Sequence, residues 1–263
     1  MQHRSILRLF AVLAFVFATG AARAADIKVM ISAGFFHVYS ELGPAFEKAT
    51  GHHIITTRGP SVGDSPEAIP ARLSRGEEAD VTIMDGSGVD FLVAHNLVRA
   101  ASKMLLAESS FGMVVRAGQP KPDISTVDAL RKTLLAAKSI AYSDSGSGTY
   151  LSTEGFKKLG IADQIAGKSR KVRGPPSGEP VAAVVARGEA EVGFQQTSEL
   201  IHTPGVEVVG TVPAEIQPPA YFVGLLTTNT KQPEAAVALL RFLSSEQAAP
   251  VITENGLKPL VKK

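Results

Sequence analysis

Residues 26–51 read DIKVMISAGFFHVYSELGPAFEKATG, a short β-rich run followed by a helix. After the Val-, Ile- and Met-rich segment at 26–32, apolar side chains recur at helical spacing from Phe35 to Ala49. Gly51 is the residue type that commonly ends a helix. The stretch therefore predicts a strand, a Ser-Ala-Gly turn and a helix, which together form the repeating unit of an α/β fold.

The same alternation continues to the end of the chain. Further strands are predicted at 53–57, 79–84, 111–115, 139–142, 192–196, 206–209 and 221–227. Further helices are predicted at 68–75, 89–95, 125–138, 150–159, 180–186, 233–243 and 245–255. Strands separated by helices favour mostly parallel sheets covered on both faces. For a chain of 263 residues, two such α/β lobes are the expected architecture.

The first 24 residues predict a secretory signal peptide. They begin with Arg4 and Arg8, continue with a short apolar run and end in a small-residue cleavage pattern at 22–24. Without this segment, which contains Arg23 as its third arginine, the chain carries 24 basic and 25 acidic side chains, a net charge of −1. We therefore expect an exported, periplasmic protein with no basic surface for nucleic acid.

Three Ser/Gly loops, each between a predicted strand end and a helix start, are the strongest candidates for a binding site. They are Ser32-Ala33-Gly34, the loop at 143–149 with Ser147 and Gly148, and Pro176-Ser177-Gly178. The first N–H groups of a helix have no partner within the helix and attract anions. In α/β folds, ligands bind where the carboxyl ends of strands meet. These loops predict an anion site formed from neutral donors, although serine and glycine also cap helices without any ligand.

Other residues extend this site or suggest alternatives to it. Gly59-Pro60-Ser61-Val62-Gly63 matches the nucleophile turn of serine hydrolases, but 64–66 delays the helix that such a turn needs at once. Ser61 is therefore predicted to contact ligand, with Arg58 as a clamp for a carboxylate. Gln195 and Gln196 end an apolar strand, where either a polar ligand or a structural network must satisfy their amides.

Metal and cofactor sites are not indicated by the sequence. The chain has no cysteine, which excludes zinc–thiolate and iron–sulfur sites, and adjacent histidines on a strand point to opposite faces. The 143–149 loop lacks a full dinucleotide-binding pattern. We expect neither a metal nor a cofactor.

Three segments resemble the periplasmic solute-binding proteins of the molybdate-binding type: 46–51 (FEKATG), 71–81 (ARLSRGEEADV) and 188–194 (GEAEVGF). The resemblance implies a type 2 periplasmic-binding-protein fold, with lobe I at 25–108 plus 225–263 and lobe II at 109–224. It implies a monomer that binds a small anion between the lobes and passes it to a membrane ABC permease. Ser61 and Ser147 lie near the family's oxyanion-binding serines.

Two departures from that family favour a different ligand. Gly34 replaces the first-loop serine, with Ser32 two residues earlier, and Gln196 stands at the tyrosine position. A larger ligand with carboxylates would suit these changes. The same branch includes aconitate isomerases, so the resemblance implies an alternative activity, an isomerase that moves an allylic proton of a small polycarboxylate. Glu179, a tyrosine such as Tyr150 or His37 could then serve as the base, and His37 is the first choice because imidazole titrates near neutral pH.

Overall fold

Two β-sheets with helices on both faces account for the residues that the computed structural model describes, 24–260. The strands are β1 (Asp26–Ile31), β2 (His53–Arg58), β3 (Val81–Asp85), β4 (Met104–Ser109), β5 (Phe111–Arg116), β6 (Ile140–Ser143), β7 (Ser169–Val172), β8 (Val192–Gln196), β9 (Val206–Thr211), β10 (Ala220–Leu226) and β11 (Lys258–Pro259). Apart from residue 24, the predicted signal peptide lies outside the described residues.

The helices are α1 (Ala33–Thr50), α2 (Ile69–Ser74), α3 (Val89–Ala94), α4 (Val127–Ala136), α5 (Gly146–Tyr150), α6 (Phe156–Lys158), α7 (Ala162–Ile165), α8 (Val181–Ala186), α9 (Thr197–Leu200), α10 (Pro233–Leu243) and α11 (Ala249–Glu254). A π-helical segment, Leu151–Gly155, joins α5 to α6 in one helical run. Between residues 24 and 260, no helix combines the length and the apolar character needed to cross a bilayer.

The first lobe is built on a six-stranded sheet in the order β11-β4-β10-β3-β1-β2. β1 pairs in parallel with β2 and β3, whereas β10 runs antiparallel to β3 and β4. Helices α1 and α10 bury Phe35 and Leu239 against one face, and α2 and α3 bury Ile69 and Leu92 against the other. Because both faces are covered, the polar turns that follow β1 and β3 are left at one edge of the sheet.

The second lobe repeats this arrangement with five strands in the order β7-β6-β8-β5-β9. β6 is parallel to β7 and β8, and β5 is antiparallel to β8 and β9. Leu134 and Phe156 belong to the core on one face, and Val181 and Val185 of α8 belong to the core on the other.

The chain crosses between the lobes twice, at Ser110 between β4 and β5 and at 212–219 between β9 and β10. The second boundary was predicted at 225, which is too late. Residues 220–224 belong to β10 and therefore to the sheet of the first lobe. The boundary was misplaced because an apolar strand that directly follows a crossover carries no sequence mark of the lobe it joins.

The two-lobed α/β fold is confirmed, but each sheet is mixed rather than mostly parallel. A strand that enters a sheet from the other lobe, such as β5 or β10, runs opposite to the strands of the βαβ units. Strands β4, β7 and β11 were not predicted at all.

Candidate ligand-binding site

The candidate site is a cavity of about 20 Å³ between the two lobes. Its walls come from the β1–α1 turn, the loop after β2, the β6–α5 turn, the end of β8 and helix α9. The lining residues are Ser32, Ala33, Gly34, Pro60, Ser61, Ser143, Asp144, Ser145, Gly174, Pro175, Gln195, Gln196, Glu199 and Phe222. Such a volume holds about one water molecule. A larger ligand must therefore enter while the lobes are apart, and the cavity must widen to hold it.

The amino end of α1 forms the first wall. Ser32 precedes the helix in an extended conformation, and its side chain makes no capping hydrogen bond. Its hydroxyl is buried and has no hydrogen-bond partner. Because a buried hydroxyl without a partner costs free energy, and α1 lacks a side-chain cap, both the hydroxyl and the first N–H groups of α1 are available to a ligand.

Gly34 is required in this wall by the packing beneath it. A Cβ at residue 34 would lie 2.2 Å from Cζ of Phe222, far closer than real atoms approach. Glycine thus allows α1 to begin directly against the Phe222 ring.

A buried hydrogen-bond network crosses the floor of the cavity. Gln196 Nε2 in the second lobe donates to Asp85 Oδ2 in the first at 2.7 Å, and the Ser109 hydroxyl donates to Gln196 Oε1. The backbone N–H of Asp85 donates to Ser61 Oγ at 2.9 Å. The amide of Gln196 is therefore satisfied within the protein, which favours the structural explanation for it over direct ligand contact.

Gln195 and Glu199 form the opposite wall. Gln195 Oε1 accepts from the backbone N–H of Val181 at 3.1 Å, so its amide nitrogen faces Glu199 Oε2, to which it donates at 2.5 Å. Protein packed around the Glu199 carboxyl removes water and raises its pKa to about 8. The Gln195 hydrogen bond and Arg58 oppose this rise, whereas the charges of Asp85 and Asp144 add to it.

The β6–α5 turn contributes Ser145 rather than Ser147 to the cavity. Ser145 Oγ accepts from the backbone N–H of Ser61 at 3.3 Å, a direct link between the lobes. Ser147 lies buried behind it with its Oγ 3.3 Å from Ser143 Oγ, and the N–H of Gly148 donates to Ser143 Oγ at 3.2 Å. Ser147 and Gly148 hold the turn together and do not line the cavity.

Three other predicted residues lie outside the lining. The Arg58 guanidinium stacks on the Phe36 ring at 4.0 Å and faces a groove beside α1, so it does not line the cavity and its role as a clamp stays a prediction. His37 stacks on His202 of the other lobe at 4.0 Å, and partial burial, His202 and Arg58 lower its pKa. Ser177 is exposed, and its backbone N–H donates a hydrogen bond to the Glu67 carboxylate of the first lobe.

The prediction missed the acidic side chains of the site. Asp85 is the last residue of β3, Asp144 directly follows β6, and Glu199 lies three residues after β8. The signal was present, because each lies within three residues of a strand end. In the described part of the chain, no group of three His, Cys, Asp or Glu side chains is arranged to hold a metal ion.

Residues 27–258 match the family described as "Bacterial extracellular solute-binding protein". The chain belongs to this family. The chain is also 46% identical to an aconitate isomerase of a Pseudomonas species over 234 residues, 89% of this chain and 88% of the relative. It is 27% identical to the molybdate-binding protein ModA of Azotobacter vinelandii over 96% of this chain and 97% of ModA.

The fold of this solute-binding protein agrees with solved structures. The periplasmic molybdate-binding protein of Azotobacter vinelandii superimposes with a TM-score of 0.69 at 21% identity, over 90% of this chain and 100% of that one. A periplasmic thiamin-binding protein gives a TM-score of 0.67 at 17% identity, over 90% and 84%.

Proposed function

We propose that this solute-binding protein holds a small anion with carboxylate groups in the cavity between its lobes. The observation that carries the proposal is the buried Ser32 hydroxyl without a partner, at the uncapped amino end of α1. A ligand carboxylate placed there accepts from the hydroxyl and from backbone N–H groups, and the partial positive charge of an 18-residue helix adds to its binding.

The identities to known proteins favour a carboxylate over a mineral oxyanion. The like charges of Asp85 and Asp144, which act on Glu199, oppose every bound anion and do not choose between these two ligand classes. The greater identity to an aconitate isomerase than to ModA favours the carboxylate class.

A thermal-shift panel of citrate, both aconitates, molybdate, tungstate, sulfate and phosphate tests this proposal. A ligand at about 100 times its Kd stabilises by roughly 2.7 kcal/mol, which raises Tm by roughly 5–10 °C. Ser32→Ala should reduce the carboxylate shift. Ser169→Ala is the matched control, because Ser169 also has a buried hydroxyl without a partner but lies outside the cavity. If the ligand-induced rise in Tm is reduced equally in both variants, the assignment of Ser32 to the binding site is contradicted.

Transport is the role we propose for this binding. The family assignment supports export to the periplasm and delivery of the ligand to an ABC permease. Uptake of a labelled carboxylate by cells that carry or lack this gene tests it, with uptake expected to fall when the gene is deleted. Unchanged uptake would count against transport while leaving binding in place.

Isomerisation of aconitate in the same cavity is the second candidate, favoured by the 46% identity and by the cavity-lining Glu199. In its ionised form, Glu199 would take a proton from the ligand methylene, and the C–H electron pair would become the new C=C bond. The π electrons of the original C=C bond would then form a C–H bond at its far carbon, with the proton that Glu199 returns. The reaction needs no oxidant or co-reactant. This assignment replaces the predicted base His37, whose ring stacks outside the cavity.

Proton NMR of the purified protein with cis-aconitate tests isomerisation. Formation of the trans isomer above the protein-free rate is expected, and Glu199→Gln should abolish it while keeping ligand binding. No conversion by the wild-type protein would leave transport binding as the function.

A further inference from the structure

The side chain of Glu199 is placed at the cavity by a chain of hydrogen bonds. Helix α9 follows β8 directly, and the Glu199 carboxyl lines the cavity wall. The backbone N–H of Val181 holds Gln195 Oε1, and this fixes the amide so that Nε2 donates to Glu199 Oε2. Among residues 24–260, the hydrogen bond to the Glu199 side chain is made at Oε2, and the residue lines the cavity.

The charges around Glu199 favour its neutral form. Asp85 at the end of β3 and Asp144 after β6 act on it as like charges, and Arg58 at the end of β2 is the nearby cation. The Arg58 guanidinium is stacked on Phe36, at 4.0 Å from the ring centroid, and does not line the cavity. Within residues 24–260, Glu199 therefore has no ion-pair partner, while two other carboxylates and the loss of water oppose its ionisation.

We propose that Glu199 is protonated in the free protein and donates this proton in a hydrogen bond to a carboxylate of the bound ligand. The inference rests on the proposed binding function, because it assigns the contact that holds a carboxylate at that site. It belongs to that function and not to the isomerase candidate, which needs Glu199 to be ionised while the ligand is bound. A neutral carboxylic acid next to an anion is a strong donor, whereas an ionised one repels it. The cleft thus binds its ligand below the pKa of Glu199 and releases it above.

The two oxygens of Glu199 then have separate tasks. Oε2 accepts from Gln195, and Oε1 carries the proton that faces the ligand. Gln195 is a positioning residue, because its amide oxygen and nitrogen are both engaged within the protein and its Nε2 sets the direction of the carboxyl. Glutamine at position 199 can reproduce the protonated form, since its carbonyl accepts from Gln195 and its NH₂ replaces the O–H donor.

Calorimetry with citrate from about pH 7 to about pH 9.5 tests this inference, because citrate stays ionised over this range. Wild-type affinity should fall by about tenfold per pH unit above the pKa of Glu199. Glu199→Gln should bind with little dependence on pH. Glu154→Gln is the control, because Glu154 is an exposed carboxyl on a helix of the same lobe, and it should keep the wild-type slope. A flat wild-type profile, or a slope retained by Glu199→Gln, would overturn the proposal.

NMR of protein labelled with ¹³C at glutamate carboxyls gives a second readout that does not depend on ligand affinity. One carboxyl signal should titrate near pH 8. This signal should be absent from the spectrum of Glu199→Gln, and its chemical shift should change when citrate is added. If every glutamate titrates in its ordinary range, the inference is wrong whether or not citrate binds. If no carboxylate gives heat at any pH, the proposed function itself is wrong.

Discussion

Gly63 lies where one added methyl group would oppose closure of the two lobes. Its φ is +107°, and a Cβ there would lie 2.4 Å from the carbonyl oxygen of Asp144 in the second lobe. Because ordinary van der Waals contact needs a longer distance, the methyl group of Gly63→Ala should push residue 63 and Asp144 apart by about 1 Å. The nearby hydrogen bond from the N–H of Ser61 to Ser145 Oγ is already 3.3 Å long and would break.

The loss of that neutral hydrogen bond should make the free energy of lobe closure less favourable by about 1 kcal/mol, equivalent to roughly fivefold weaker ligand binding. Gly76→Ala is the matched control, because Gly76 has φ +81° but no atom within 4 Å of its Cβ position. Both variants should lose about 1–2 kcal/mol of stability from backbone strain. Only Gly63→Ala should lose citrate affinity in calorimetry, and equal affinities of the two variants would refute the interlobe contact.

Two further predictions concern stability. Gln196→Leu leaves Asp85 Oδ2 and the Ser109 hydroxyl without their hydrogen-bond partner. Urea denaturation should therefore show a free energy of unfolding lower by about 3 kcal/mol. A decrease below about 0.5 kcal/mol would contradict the network. Because partial burial and the neighbouring His202 lower the pKa of His37, the unfolded chain binds this proton more readily. The wild type should therefore lose stability relative to His37→Gln as pH falls from about 7 to about 5. A difference in free energy of unfolding between the two proteins that stays constant over this range would be evidence against this.

The long helices and the buried strands could be predicted because their signals are local. α1 has regular apolar spacing and Gly51 in a left-handed conformation at its end. The missed strands lack such signals. β7 is a short edge strand with the sequence Ser-Arg-Lys-Val, and β4 leaves Leu105 45% exposed, so neither shows a simple burial pattern. Their positions are decided by pairing with strands distant in sequence, which local patterns do not record.

The cavity could be predicted in part because strand ends in α/β folds meet at one edge. The predicted site residues that line the cavity are Ser32, Ala33, Gly34, Ser61, Gln195 and Gln196. Side-chain direction could not be predicted. Arg58 turns onto Phe36, His37 stacks on His202, and Glu199 enters the cavity only because α9 folds back directly after β8.

Calorimetric competition between citrate and molybdate is the most direct test of carboxylate binding in the cleft. Citrate should bind one equivalent and resist displacement by molybdate. Ser32→Ala should weaken citrate binding by about 10- to 100-fold, the effect of a lost hydrogen bond to a charged group. Tight binding of molybdate with no heat from citrate or either aconitate would contradict the account.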